Sequence, residues 1–125
     1  MPIQSDQIHV FLELPILPGK ADELREIARK MVAMNNAEEP GTLVYNVYIN
    51  PDETLFTYLE TYADSEACLF HAKRFSEGVY VGQIVKLTDG ARLRFYGNLS
   101  AAFKQWALEA GFEPEYFELI DGYVR

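Results

Sequence analysis

The stretch Thr54–Arg74, TLFTYLETYADSEACLFHAKR, constrains this chain more than any other. Its first half alternates. Phe56, Tyr58, Glu60 and Tyr62 share one parity, so a strand with a two-residue period puts all four on one face. Asp64 then stands where a helix N-cap is needed, and Glu66 falls in the first turn, where an acidic group suits the helix dipole. A helix leaving so short a corner folds back over the strand. Laid on the face of Phe56, Tyr58 and Glu60, it carries His71 toward Glu60 beside an aromatic wall.

The remaining segments read as support for that unit. Gln7–Leu14 alternates as a first strand, with Ile8, Val10, Leu12 and Leu14 on one face and His9, Phe11 and Glu13 on the other. From Ala21 the period becomes helical through Leu24, Ile27, Ala28, Met31 and Met34, with acids early and bases late. Asn35-Asn36 and Pro40-Gly41 are expected to close this helix. Thr42–Ile49 and Leu55–Tyr62, joined by Asn50-Pro51-Asp52-Glu53, form an antiparallel hairpin. The helix from Ser65 is expected to end near Arg74, and Phe75–Leu87 to form a second short helix or a lid, weakened by Gly78 and Gly82. Ala91–Asn98 reads as a fourth strand. Ser100 caps a last helix bearing Phe103, Trp106, Ala107 and Ala110, which ends at Gly111.

The result is one α+β domain over residues 1–125, a ferredoxin-like βαββαβ antiparallel sheet with helices on one face. Its core runs over about 7–97, with an extra C-terminal helix and tail over 98–125. The tail from Phe112 is aromatic and apolar enough that it should pack on the domain or on a partner. Neither parity of Thr42–Ile49 is plainly polar, so both sheet faces should be covered. Pairing two sheets face to face does this, and an isologous homodimer is the expectation.

Composition excludes several classes. A formal charge of −8 and the lack of a basic stripe disfavour nucleic acid. Cys68 is the single cysteine, so no intramolecular disulfide forms; beside Leu69 and Phe70 it reads as a packing residue rather than a nucleophile. No zinc, P-loop or dinucleotide motif occurs. The apolar run nearest the N-terminus, Ile8–Leu17, carries Glu13 and Pro15. Neither an export leader nor a membrane span is expected, and a cytoplasmic location is the default.

Four segments together resemble the antibiotic biosynthesis monooxygenase (ABM) domain family. They are PGKADEL at Pro18–Leu24, PGTLVYNVY at Pro40–Tyr48, FTYLETY at Phe56–Tyr62 and DSEACLFH at Asp64–His71. The resemblance covers about residues 7–97. It implies a dimeric α+β barrel with a pocket in each subunit between sheet and helices. Some members oxygenate phenols or quinols without metal or flavin, and others degrade haem. The haem-degrading relatives rely on an Asn in the first strand, a Trp in the second helix and a His soon after it. The corresponding positions here are Leu12 and His71, and residues 76–87 contain no His, so haem degradation is not expected.

The resemblance thus implies a cofactor-independent monooxygenase acting with O2 on a small aromatic, phenol- or quinol-like substrate, with no metal. Such chemistry needs a base, oxyanion donors and an apolar pocket that excludes water. His71 is the candidate base, since imidazole ordinarily titrates near neutrality, and Glu60 would orient it. Tyr58, Tyr62 and Asn46 are candidates for holding the substrate anion, and Phe56 and Phe70 for lining the pocket. The alternative is a non-catalytic small-molecule-binding or interaction protein on the same barrel, with His71 and Glu60 a structural pair. Isomerases on this scaffold form a third reading. His9 is expected at a surface or interface, and Trp106 in the core or a dimer contact.

Overall fold

A computed structural model describes residues 6–125. The expectation that no leader precedes the first strand rests partly on residues 1–5, outside the described range. Five strands form one sheet in the order β2-β3-β1-β4-β5: β1 Ile8–Pro15, β2 Thr42–Ile49, β3 Leu55–Tyr62, β4 Arg92–Tyr96 and β5 Glu115–Phe117. The helices are α1 Ala21–Glu38, α2 Ser65–Glu77, α3 Tyr80–Leu87 and α4 Ala101–Glu109. The first four strands pair antiparallel in the ferredoxin-like arrangement. The tail supplies a fifth strand, parallel to β4, that the sequence pattern did not reveal.

Parity decides which side of the sheet is covered. Ile8, Val10 and Leu14 of β1 are buried under the helices, as are Phe56, Tyr58, Glu60 and Tyr62 of β3. One core cluster joins Leu14, Leu24, Met31, Phe56, Tyr58 and Ile84; a second joins Val10, Tyr62, Cys68, Phe95, Phe103 and Ala107. The opposite face bears Val44, Tyr48, Leu59, Tyr96 and Phe117, all exposed in the single chain. In β2 the register shifts between Thr42 and Val44, and this irregularity leaves Leu43 exposed although its parity matches the half-buried Tyr45.

Helix ends depart from expectation in two places. α1 runs through Asn35-Asn36 to Glu38, so its last turn holds no basic residue and Glu39 becomes its C-cap. α2 continues past Arg74 to Glu77. Its start is as expected: the Asp64 carboxylate accepts from Ala67 N–H at 2.8 Å. Ser100 caps α4 in the same way, accepting from Phe103 N–H at 3.1 Å. Residues 80–87 are the short helix foreseen, with Ile84 and Leu87 buried. Of the tail, Tyr116 packs on Phe95 and Phe117 stacks on Tyr96, while Ile120, Tyr123 and Val124 are exposed.

Candidate active site

Between the sheet and the helices lies a cavity of about 560 Å³. Its floor crosses four strands, from Tyr45 on β2 through Tyr58, Glu60 and Tyr62 on β3 and Val10 and Leu12 on β1 to Leu93 and Phe95 on β4. His71, Ala72 and Phe75 of α2, Ile84 of α3 and Phe103, Trp106 and Ala107 of α4 wall it. Exposed Val85, Gly90, Ala91 and Glu113 lie on its border.

The polar groups gather at the β2–β3 end. His71 stands there among aromatic rings: Tyr45 and Tyr62 each at 5.4 Å between centroids, and Phe75 stacked at 6.4 Å. Its Nδ1 is 2.9 Å from Oε1 of Glu39. Because Glu39 supplies an acceptor, it favours the tautomer with the proton on Nδ1 and leaves Nε2 as the basic nitrogen. Glu39 is buried; it also accepts from Thr42 Oγ1 at 2.9 Å, and Arg74 Nε lies 3.6 Å from its other oxygen. Burial pushes its carboxyl up, but the hydrogen bond and charge of His71, the Thr42 bond and the Arg74 charge outweigh that and hold it below its ordinary value. His71 and Phe75 also border a smaller cavity of about 320 Å³, shared with Asn35, Glu39 and Arg74.

The carboxylate that grips His71 is therefore Glu39, from the end of α1, and not Glu60. Glu60 accepts from the Tyr62 hydroxyl at 2.5 Å and is 7% exposed. Burial, reinforced by the negative charge of Glu39, raises its carboxyl above the ordinary range against the opposing influences of His71 and Tyr62. Burial and the charge of Glu60 also push the hydroxyls of Tyr45, Tyr58 and Tyr62 upward, so all three remain protonated donors near neutral pH. The same two causes push the Cys68 thiol up, which leaves it a packing residue at the cavity wall.

Four of the candidate residues thus converge: His71, Glu60, Tyr58 and Tyr62. Three do not. Asn46 pairs with Leu59 across the hairpin and shares that residue's exposed face, away from the cavity. Phe70 is 50% exposed and stacks under the Arg74 guanidinium; the cavity phenylalanine of α2 is Phe75. Phe56 is on the correct face but belongs to the packed core rather than the cavity wall. Tyr45, Glu39, Phe75 and Trp106 were not anticipated at the site. Among the described residues no group of three or more His, Cys, Asp or Glu is placed to hold a metal, and no helix is long and apolar enough to cross a membrane.

A β-sheet roofed on one side by helices, with a titratable cluster at one end of the cavity between them, defines the class: a small α+β domain of the ferredoxin-like kind. The family profile described as antibiotic biosynthesis monooxygenase matches residues 7–75. The chain belongs to that family. Structural relatives share its fold at low identity. MupZ from Pseudomonas fluorescens superposes with a TM-score of 0.80 at 20% identity over 96% of this chain and 95% of its own. A conserved protein from Methanosarcina mazei Go1 gives 0.66 at 19% identity over 75% and 94%. Rv0793 from Mycobacterium tuberculosis gives 0.62 at 20% identity over 77% and 98%. No curated protein matches the sequence significantly.

Proposed function

We propose that this protein is a cofactor-independent monooxygenase that oxidises a phenol- or quinol-like substrate with O2, working as a homodimer paired through its open sheet faces. The observation that carries the reading is the Glu39–His71 pair, a carboxylate-braced imidazole at the polar end of a largely apolar, aromatic cavity. His71 Nε2 removes the phenolic proton, and Nδ1–H donates to Glu39 as positive charge develops on the ring. The Tyr45 and Tyr58 hydroxyls are protonated donors for the resulting oxyanion. The phenolate gives one electron to O2, the two radicals join at a ring carbon that bears hydrogen, and the His71 imidazolium returns its proton to the peroxide to give a hydroperoxide. Loss of water then leaves the quinone, so phenol plus O2 becomes quinone plus water. Apolar walls keep bulk water from the anion.

The test is oxygen uptake by metal-free protein with quinols and polycyclic phenols, run beside His71→Ala. Protein-dependent uptake that falls by roughly 10²–10⁴-fold in the variant supports the assignment. Uptake unchanged in His71→Ala removes His71 from the chemistry. Tight binding of the same compounds with no uptake replaces the enzyme by a binding protein.

A further inference from the structure

The cavity is much longer than one ring requires. Its floor spans β2, β3, β1 and β4, three inter-strand spacings or about 14 Å. Its volume lies within the range of about 300–1,000 Å³ that buries drug-sized molecules. The interior polar groups are one-sided: Tyr45, Tyr58, Glu60, Tyr62 and His71 cluster at the β2–β3 end, while Thr88 and the exposed Glu113 stand elsewhere on the lining. Beneath β4 the wall is Leu93, Phe95, Phe103, Trp106, Ala107 and Phe112. Those last four come from α4 and the turn after it, residues outside the 7–75 segment that the family profile matches. The extension is held there by the Ser100 cap and by the rings of Phe103, Trp106 and Phe112 in series, 6.3 and 5.6 Å apart.

We propose that the cavity takes an amphipathic phenol: a single polar ring at His71 and Glu60, and a long unbranched apolar chain running under β1 and β4 against Phe103, Trp106 and Phe112. This deepens the function proposed above and rests on it only for the nature of the head group. The polar end offers the hydroxyls of Tyr45, Tyr58 and Tyr62 and the His71 imidazole, groups that suit one hydroxyl-bearing ring. Gly90 and Ala91, just before β4, and the exposed Glu113, just after Phe112, border the cavity on the chain side and give the tail a way out if it exceeds the cavity.

Trp106 is the only tryptophan, so its fluorescence reports the apolar half directly. The experiment titrates the full-length protein with 4-alkylphenols from methyl to dodecyl below their aggregation concentrations. A second titration uses a 4-alkylphenol brominated at the chain terminus and one brominated on the ring. Affinity is expected to rise about two- to fourfold per methylene until the cavity is filled, and the terminal bromine is expected to quench Trp106 far more than the ring bromine. Ala91→Glu, at an exposed border position just before β4, should weaken the long-chain phenols at least tenfold and 4-methylphenol, seated at His71, by less. Affinity that does not change with chain length overturns the proposal, as does stronger quenching by the ring bromine or a chain-length gain untouched by Ala91→Glu. A chain-length ladder without oxygen uptake would leave the proposal standing and remove the monooxygenase reading. Uptake with small phenols and no ladder would do the reverse.

Discussion

Two buried carboxylates with opposite shifts divide the labour around one imidazole. Glu60 titrates above its ordinary value because burial outweighs its partners. The folded protein therefore holds that proton more tightly than the unfolded chain. Its contribution to stability is complete below the ordinary carboxyl range and is lost as pH rises through the folded value. Glu60→Gln cannot ionise, and its carbonyl still accepts from Tyr62. Its urea midpoint should match wild type in acid and exceed it near neutral pH. Glu39 has the opposite sign: its folded value is depressed, so its contribution is present above the ordinary carboxyl range and lost as pH falls through the folded value. Glu39→Gln should narrow the acid-side loss of stability and, because the imidazole loses its anionic brace, lower oxygen uptake by about tenfold or more. A Glu39→Gln enzyme of wild-type activity would show that Glu39 serves folding alone.

At the scale of elements, α2 must lie close to the start of β2 for His71 to reach Glu39. Gly41 makes that approach possible: a Cβ there would sit 2.5 Å from Ala67 Cβ on α2. Gly41→Ala should displace the helix and cost about 1–3 kcal/mol in chemical denaturation. The His71 imidazole resonances should shift although the residue is 30 positions away in sequence. This geometry also explains what the sequence did and did not disclose. The β3–α2 unit was legible because parity and a capping aspartate act locally. Glu39 was not, because its partner lies beyond the β2–β3 hairpin, 32 positions away in sequence, although one signal existed. A buried carboxylate at a helix C-terminus opposes the dipole and implies a cation or donor elsewhere. Asn46 was misplaced for want of one step: the hairpin register sets it opposite Leu59, which has the parity that faces away from Glu60. Phe70 failed on angle. Cys68, His71, Ala72 and Phe75 share the inward stripe of α2, and Phe70 lies off it. The tail's apolar residues predicted docking, but its three-residue strand carries too little pattern to be seen.

For the whole molecule, the open face of the sheet is the half of the fold that a single chain leaves uncovered. Across its centre the register aligns Asn46, Leu59, Phe11 and Arg94, with Val44, Tyr48, Tyr96 and Phe117 exposed around them. Charge there is already internally matched: Arg94 lies over the Phe11 ring and within 3.9 Å of Glu13 and 3.8 Å of Glu115. A face whose charges are paired within one chain and whose remainder is largely apolar suits burial against its own copy. Leu59 is 44% exposed near its middle, and in an isologous pair any change there occurs twice. Leu59→Lys removes about 1.5–3 kcal/mol of apolar burial per copy and adds an unpaired charge to each side. Sedimentation equilibrium should show wild type as a dimer and Leu59→Lys as a monomer, with the cavity still binding 4-alkylphenols, because its walls come from one chain. A monomeric wild type would leave this face to a different partner, whereas a dimeric Leu59→Lys would place the contact elsewhere on the surface. If the monomer binds ligand but loses oxygen uptake, dimerisation acts on the rigidity of β3, whose open face carries Leu59 and whose other face carries Glu60 and Tyr62.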